Sequence, residues 1–196
     1  MTDIYRRLGR LYAALGETIE SDLTKFPATV IKTPTSCAIY QDFRGGRTDE
    51  QIENLLQSLI ANIASLEGYL RQWAKKSGRG VCHVADAFNG SLDLRIIKDL
   101  WNAEKHPGVH HQGGYSRKGP KLINVNGVNQ LKVGPGKGWA AMTLGAGGVP
   151  VKHGTGTSEV LFTGDVVDEH GNNLGELHVI ADRGIQVWEN LIARLQ

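Results

Sequence analysis

The residues best placed to do chemistry lie on one stretch, Ser91 to His106, reading SLDLRIIKDLWNAEKH. At 3.6 residues per turn, Arg95, Asp99, Asn102 and His106 fall within an arc of roughly 60°. A cation, a carboxylate, an amide and an imidazole would then share one helical face. Such a set could bind a ligand or place an acid–base group beside one. Leu92, Ile96, Leu100 and Ala103 form the adjacent apolar stripe, with Ile97 and Trp101 beyond it, and are expected to face a core. Ser91 is placed to cap the helix start, and Pro107-Gly108 to stop it.

A simpler role for the same face competes with chemistry. Asp99, Asn102 and His106 can hydrogen-bond one another and nearby loop backbone, which is the commoner use of polar groups at a helix edge. Other candidates are weaker. His106, His110 and His111 invite a metal, but Pro107-Gly108 breaks the register that would aim them together, and a fourth ligand is not implied. Cys82-His83 reads as a thiol beside a turn, because no third group is implied. Gly134-Pro-Gly-Lys-Gly138 lacks the Ser or Thr and the helix that follow a phosphate-loop lysine, and reads as a hairpin turn. Tyr115, Arg117, Lys118 and Lys121 mix an aromatic with basic residues, as single-strand nucleic-acid grips do; a solvated loop is the plainer reading. No metal and no cofactor is called for.

Composition narrows the field. The chain of 196 residues has a formal net charge of +2, so nothing global demands nucleic acid or a membrane surface. Two cysteines, Cys37 and Cys82, do not make a disulfide framework and fit a reduced, cytoplasmic setting. The first residues have charges without an apolar run behind them, so no secretory leader and no membrane span are expected.

The elements that must position these groups read as α+β. Ile4, Leu8, Leu11, Leu15 and Ile19 keep helical spacing, with Phe26-Pro27 as the stop. A short strand candidate covers Val30 to Lys32. Thr48 and Gln51 form a capping box for a long helix whose apolar face runs from Ile52 to Trp73 and which Gly78 closes. That helix is the expected packing partner of the Ser91 helix. Strand candidates follow at Lys121–Val125, Gln130–Val133 and Trp139–Leu144. A hairpin joins Glu159–Val167 to Leu174–Ile180 through Asp168-Glu-His-Gly-Asn-Asn173. Asp182 then opens a last helix through Trp188. The whole is expected to be one domain over 1–196: a mainly helical part at 1–106, a mobile loop at 107–120, a β-rich insert at 121–181 and a closing helix at 182–196. This is an antiparallel helical bundle with a late inserted small antiparallel sheet.

The segment Asp99-Leu-Trp-Asn102-Ala-Glu-Lys105-His106 resembles the Asp-x-x-Asn-x-x-Lys-His signature of small uncharacterised bacterial proteins. Those pair a helical bundle with a late hairpin and an aromatic-rich terminal helix. The resemblance implies no activity. More distantly the chain is similar to the HEPN superfamily of helical bundles, many of them ribonucleases of toxin–antitoxin and phage-defence systems. Their motif is an arginine, four to six residues, then a histidine. Asn102 and His106 stand at matching offsets, but Trp101 holds the arginine position, and indole cannot stabilise charge building on phosphorus. Arg95, three turns upstream, could serve His106 only across a two-fold interface. The sequence therefore favours a non-catalytic binding or assembly module of the cytoplasm, with a protein partner or a second copy; the resemblances alone imply a bacterial protein and a defence or mobile-element context. The rival is a metal-independent ribonuclease using His106, Asn102, Asp99 and Arg95, with RNA as its substrate.

Overall fold

The computed structural model describes residues 2–106, 114–133 and 138–195. The fold is α+β. Its helices are α1 (Thr2–Glu17), α2 (Asp49–Lys76), α3 (Cys82–Gly90), α4 (Leu92–Lys105) and α5 (Leu177–Leu195). Its strands are β1 (Ile19–Glu20), β2 (Ala28–Lys32), β3 (Cys37–Gln41), β4 (Lys121–Lys132), β5 (Ala140–Leu144), β6 (Pro150–Gly154), β7 (Thr157–Val167) and β8 (Asn173–Glu176). Among the described residues no helix is long and apolar enough to cross a membrane. The chain divides into two compact units, one of Met1–Gly16, Asn54–Asn124 and Gly164–Gln196, the other of Glu17–Glu53 and Val125–Thr163.

The first unit holds most of the helical structure. α2 begins in the second unit, where its start is capped reciprocally: Gln51 N–H donates to Thr48 Oγ1 at 3.3 Å, and Thr48 N–H to Gln51 Oε1 at 3.0 Å. Its end is closed by Gly78 at φ +67°, a left-handed position that costs glycine no Cβ clash. Between them Leu56, Leu59, Ile60, Ile63, Leu66 and Leu70 are fully buried, each contributing about 1.5–3 kcal/mol of transfer free energy. On α1, the Arg7 guanidinium lies 3.6 Å from the Tyr69 ring centroid, and the Tyr12 hydroxyl donates to the Glu189 carboxylate of α5.

Ser91 caps α4 through a 3.2 Å bond from Leu94 N–H to its Oγ. The expected partner, α2, reaches α4 through the Glu67–Lys98 ion pair at 3.4 Å. The more intimate backbone partner is α5. The reason is Gly184, where an added Cβ would stand 3.1 Å from both Leu94 Cδ2 and Ile97 Cδ1. With no side chain there, α5 comes close to α4. The buried face of α4 is accordingly turned toward Leu94, Ile96, Ile97 and Leu100, while Leu92 and Ala103 of the expected stripe are exposed.

The strands of the second unit form antiparallel ribbons. β1 pairs with β7 (Ile19 opposite Leu161), β2 with β3 (Val30 opposite Ile39) and β5 with β6 (Met142 opposite Lys152). The larger sheet has the order β1-β7-β4; β7 runs on into the first unit, where Val166 lies opposite Gly175 of β8.

Several boundaries differ from the sequence expectation. The first helix ends at Glu17, and Ile19 enters β1. The early hairpin β2–β3 replaces a single short strand candidate, so strands are not confined to the late part of the chain. The two candidates at 121–133 are one strand, β4; Gly127 between them makes no turn but lets the Phe43 carbonyl approach to 2.1 Å from where a Cβ would stand. The last helix starts at Leu177 rather than Asp182, because Leu177, Ala181, Gly184 and Trp188 carry buried helical spacing back past the β-branched Val179-Ile180.

Candidate functional site

Asp99 is the most constrained member of the polar face of α4. It is 8% exposed, and its carboxylate accepts two backbone bonds, from Tyr115 N–H to Oδ1 and from Ser116 N–H to Oδ2, each 2.7 Å. The turn it holds begins at Gly114, φ +66°, where a Cβ would lie 2.3 Å from Asp99 Oδ1. Glycine is required there on both counts. Ser116 is buried in turn, and its Oγ accepts from Lys118 N–H at 3.2 Å. The Tyr115 ring meets Phe88 of α3 edge-on, 5.6 Å between centroids. Of the loop expected at 107–120, residues 107–113 lie outside the described residues, His110 and His111 among them; the rest is this anchored turn.

The remaining members of the face do not join Asp99. Arg95 points back along α4: its Nε donates to Ser91 O at 3.3 Å, and an Nη reaches Tyr115 O at 3.5 Å. Asn102 is half-buried and His106 exposed; their side chains make no hydrogen bond among the described residues. Trp101 is flanked by the ammonium groups of Lys98 and Lys105, 4.7 and 3.7 Å from its ring centroid. Both cations lie against indole. Arg117, Lys118 and Lys121 are exposed, Arg117 in the left-handed region at φ +59°. Lys137 and the rest of 134–137 lie outside the described residues.

A different surface stands out in the second unit. On the β2–β3 ribbon Val30, Ile31, Ile39 and Tyr40 are 40, 51, 59 and 61% exposed. The ribbon has only two strands, so among the described residues the outer edge of β3 pairs with no other strand. β3 reads Cys37-Ala-Ile-Tyr-Gln41, with no charge and no proline. Near its end, Asp42, Arg44 and Asp49 line a cleft of about 400 Å³ together with Asn126 and Gly127. Arg44 bonds Asp42 at 3.0 Å and Asp49 at 3.4 Å, so its charge is met locally, and the Asp42 carboxyl is held below the usual range chiefly by that bond.

No family model, curated protein or solved structure matches the chain. The functional reading therefore rests on these residues. Sequence reasoning found Asp99 but not the β3 edge, although the run Cys37 to Gln41, free of charge after Pro34, was the available signal. Cys82 and His83, which the sequence places beside a turn, open the helix α3.

Proposed function

We propose that the protein is a non-catalytic assembly module whose β3 edge joins a second copy of the chain. The observation that carries this reading is the uncharged, unpaired edge of β3 bearing exposed Ile39 and Tyr40. Natural sheets guard such edges with lysine, proline, bulges or a covering element. β3 itself has no such residue. An identical edge is the simplest complement: two copies related by a two-fold axis would pair antiparallel and bury the same side chains against each other.

The polar face of α4 weighs on the same side. Asp99 is committed to a turn, Arg95 to backbone carbonyls, and Trp101 stands where a ribonuclease of the HEPN type needs a cation. Total RNA incubated with the protein and with His106→Ala should be cut equally little by both; a histidine-dependent activity would favour the ribonuclease instead.

Sedimentation velocity over a concentration series tests the assembly. The parent chain should show a reversible dimer, and Ile39→Lys, which puts a charge on the edge, should sediment as monomer with an unchanged far-ultraviolet spectrum. A parent that stays monomeric at every concentration, or a dimer indifferent to Ile39→Lys, overturns the proposal.

A further inference from the structure

Cys82 and His83 open α3, and Asp86 follows one turn later. At about 100° per residue, Asp86 lies roughly 40° around the helix from Cys82 and roughly 60° from His83. It thus neighbours both, at the i,i+4 and i,i+3 spacings that bring side chains together. The thiol sulfur, an imidazole nitrogen and a carboxylate oxygen all lie within 4.8 Å of one another, and the three side chains are exposed.

A second observation comes from Gly80. A Cβ there would stand 3.2 Å from Cys82 Sγ and 3.3 Å from His83 Nε2. Gly80 is not among the glycines with positive φ, so its backbone conformation does not demand glycine. The sulfur and the ring nitrogen therefore both lie close against the bare Cα of Gly80. These side chains are not spent elsewhere: α3 has no side-chain cap, and the side chains of Cys82, His83 and Asp86 make no hydrogen bond among the described residues, while the His83 backbone N–H donates to Gly80 O at 3.2 Å.

We propose that Cys82, His83 and Asp86 form a three-ligand site for a zinc-class divalent cation, with the fourth position left to water or an outside ligand. One sulfur, one nitrogen and one oxygen suit Zn²⁺, whereas Mg²⁺ and Ca²⁺ take oxygen throughout. A tetrahedral ion with those donors needs them roughly 3.3–3.8 Å apart. Exposed side chains on one helical turn can close from their present spacing by rotamer adjustment. Coordination replaces the thiol S–H bond with a metal–thiolate bond and releases one proton to solvent, so binding strengthens as pH rises.

Cobalt(II) added to the reduced full-length chain tests the site, because a bound thiolate gives a charge-transfer band in the near ultraviolet and tetrahedral geometry gives intense visible bands. The chain has only two cysteines, so Cys37 and Cys82 are the only sources of that band. The expected result is one cobalt per chain, displaced by Zn²⁺, with the band kept in Cys37→Ser and lost in Cys82→Ser. Asp86→Ala should weaken cobalt binding by at least about tenfold, since even outer-shell partners commonly matter that much. Far-ultraviolet spectra of the variants should match the parent. No band in the parent, a band that survives Cys82→Ser, or cobalt affinity unchanged in Asp86→Ala would each overturn the site.

Discussion

Asp99 and Asp86 lie on neighbouring helices and differ in one respect that decides their use. Asp99 is buried and has both oxygens engaged by the backbone N–H groups of Tyr115 and Ser116. Asp86 is exposed, beside a thiol and an imidazole, with no donor directed at it among the described residues. A carboxylate whose lone pairs are met by the fold holds structure together; one whose lone pairs are open can take a ligand. Residue type is identical in the two cases, so the distinction lives in tertiary contacts.

The comparison breaks most sharply under truncation. Asp99→Ala strands two amide donors in a buried turn, and should lower stability by roughly 2–6 kcal/mol in urea unfolding, since each unsatisfied donor costs about 1–3 kcal/mol. Asp86→Ala removes no partner and should stay within about 0.5 kcal/mol of the parent. If the two variants unfold at the same urea concentration, the assignment of Asp99 to structure fails.

Asp168 sharpens the same contrast through pH. In the β7–β8 turn its carboxylate accepts from the Asn172 side chain at 2.9 Å and from the backbone N–H groups of Asn172 and His170 at 2.8 and 2.9 Å. These bonds, the Asn172 side chain foremost, hold its carboxyl below the usual range. A value lower in the folded than in the unfolded chain stabilises above the unfolded value of about 3.9, and that contribution fades as pH falls through the folded one. The stability gap between the parent and Asp168→Asn should therefore be full near neutrality and narrow below about pH 4. A gap that stays constant or widens on acidification would show that the carboxylate is not what the turn uses.

Local signals were legible in the sequence wherever both partners lie a few residues apart. The Thr48–Gln51 box, the Ser91 cap, the Gly78 stop and the Asp168 turn were each readable and each formed. Long-range consequences were not. Which face of α4 is buried depends on Gly184, almost ninety residues on, and the partners of Asp99 come from a turn that glycine content alone made look loose. α3 is too short for periodicity, with only Val84 and Phe88 buried, so a helix that gathers Cys82, His83 and Asp86 read as a turn. The β2–β3 ribbon is mostly exposed and lacks the alternation of a half-buried strand, which hid all but its first half.

The smallest expected effect is at Asn102, where the polar face of α4 would have been most informative had it acted as one cluster. A cluster predicts that Asn102→Ala leaves a partner unsatisfied and costs above about 1 kcal/mol. The geometry argues otherwise. The Asn102 carbonyl accepts the capping bond from His106 N–H at 2.9 Å, a backbone bond that alanine retains. Its side chain makes no bond among the described residues, and alanine favours helix over asparagine by several tenths of a kcal/mol. Urea unfolding of Asn102→Ala should therefore fall within about 0.5 kcal/mol of the parent. A loss above about 1 kcal/mol would restore the cluster, and with it a shared role for Asn102 and Asp99 that truncating Asp99 alone does not reveal.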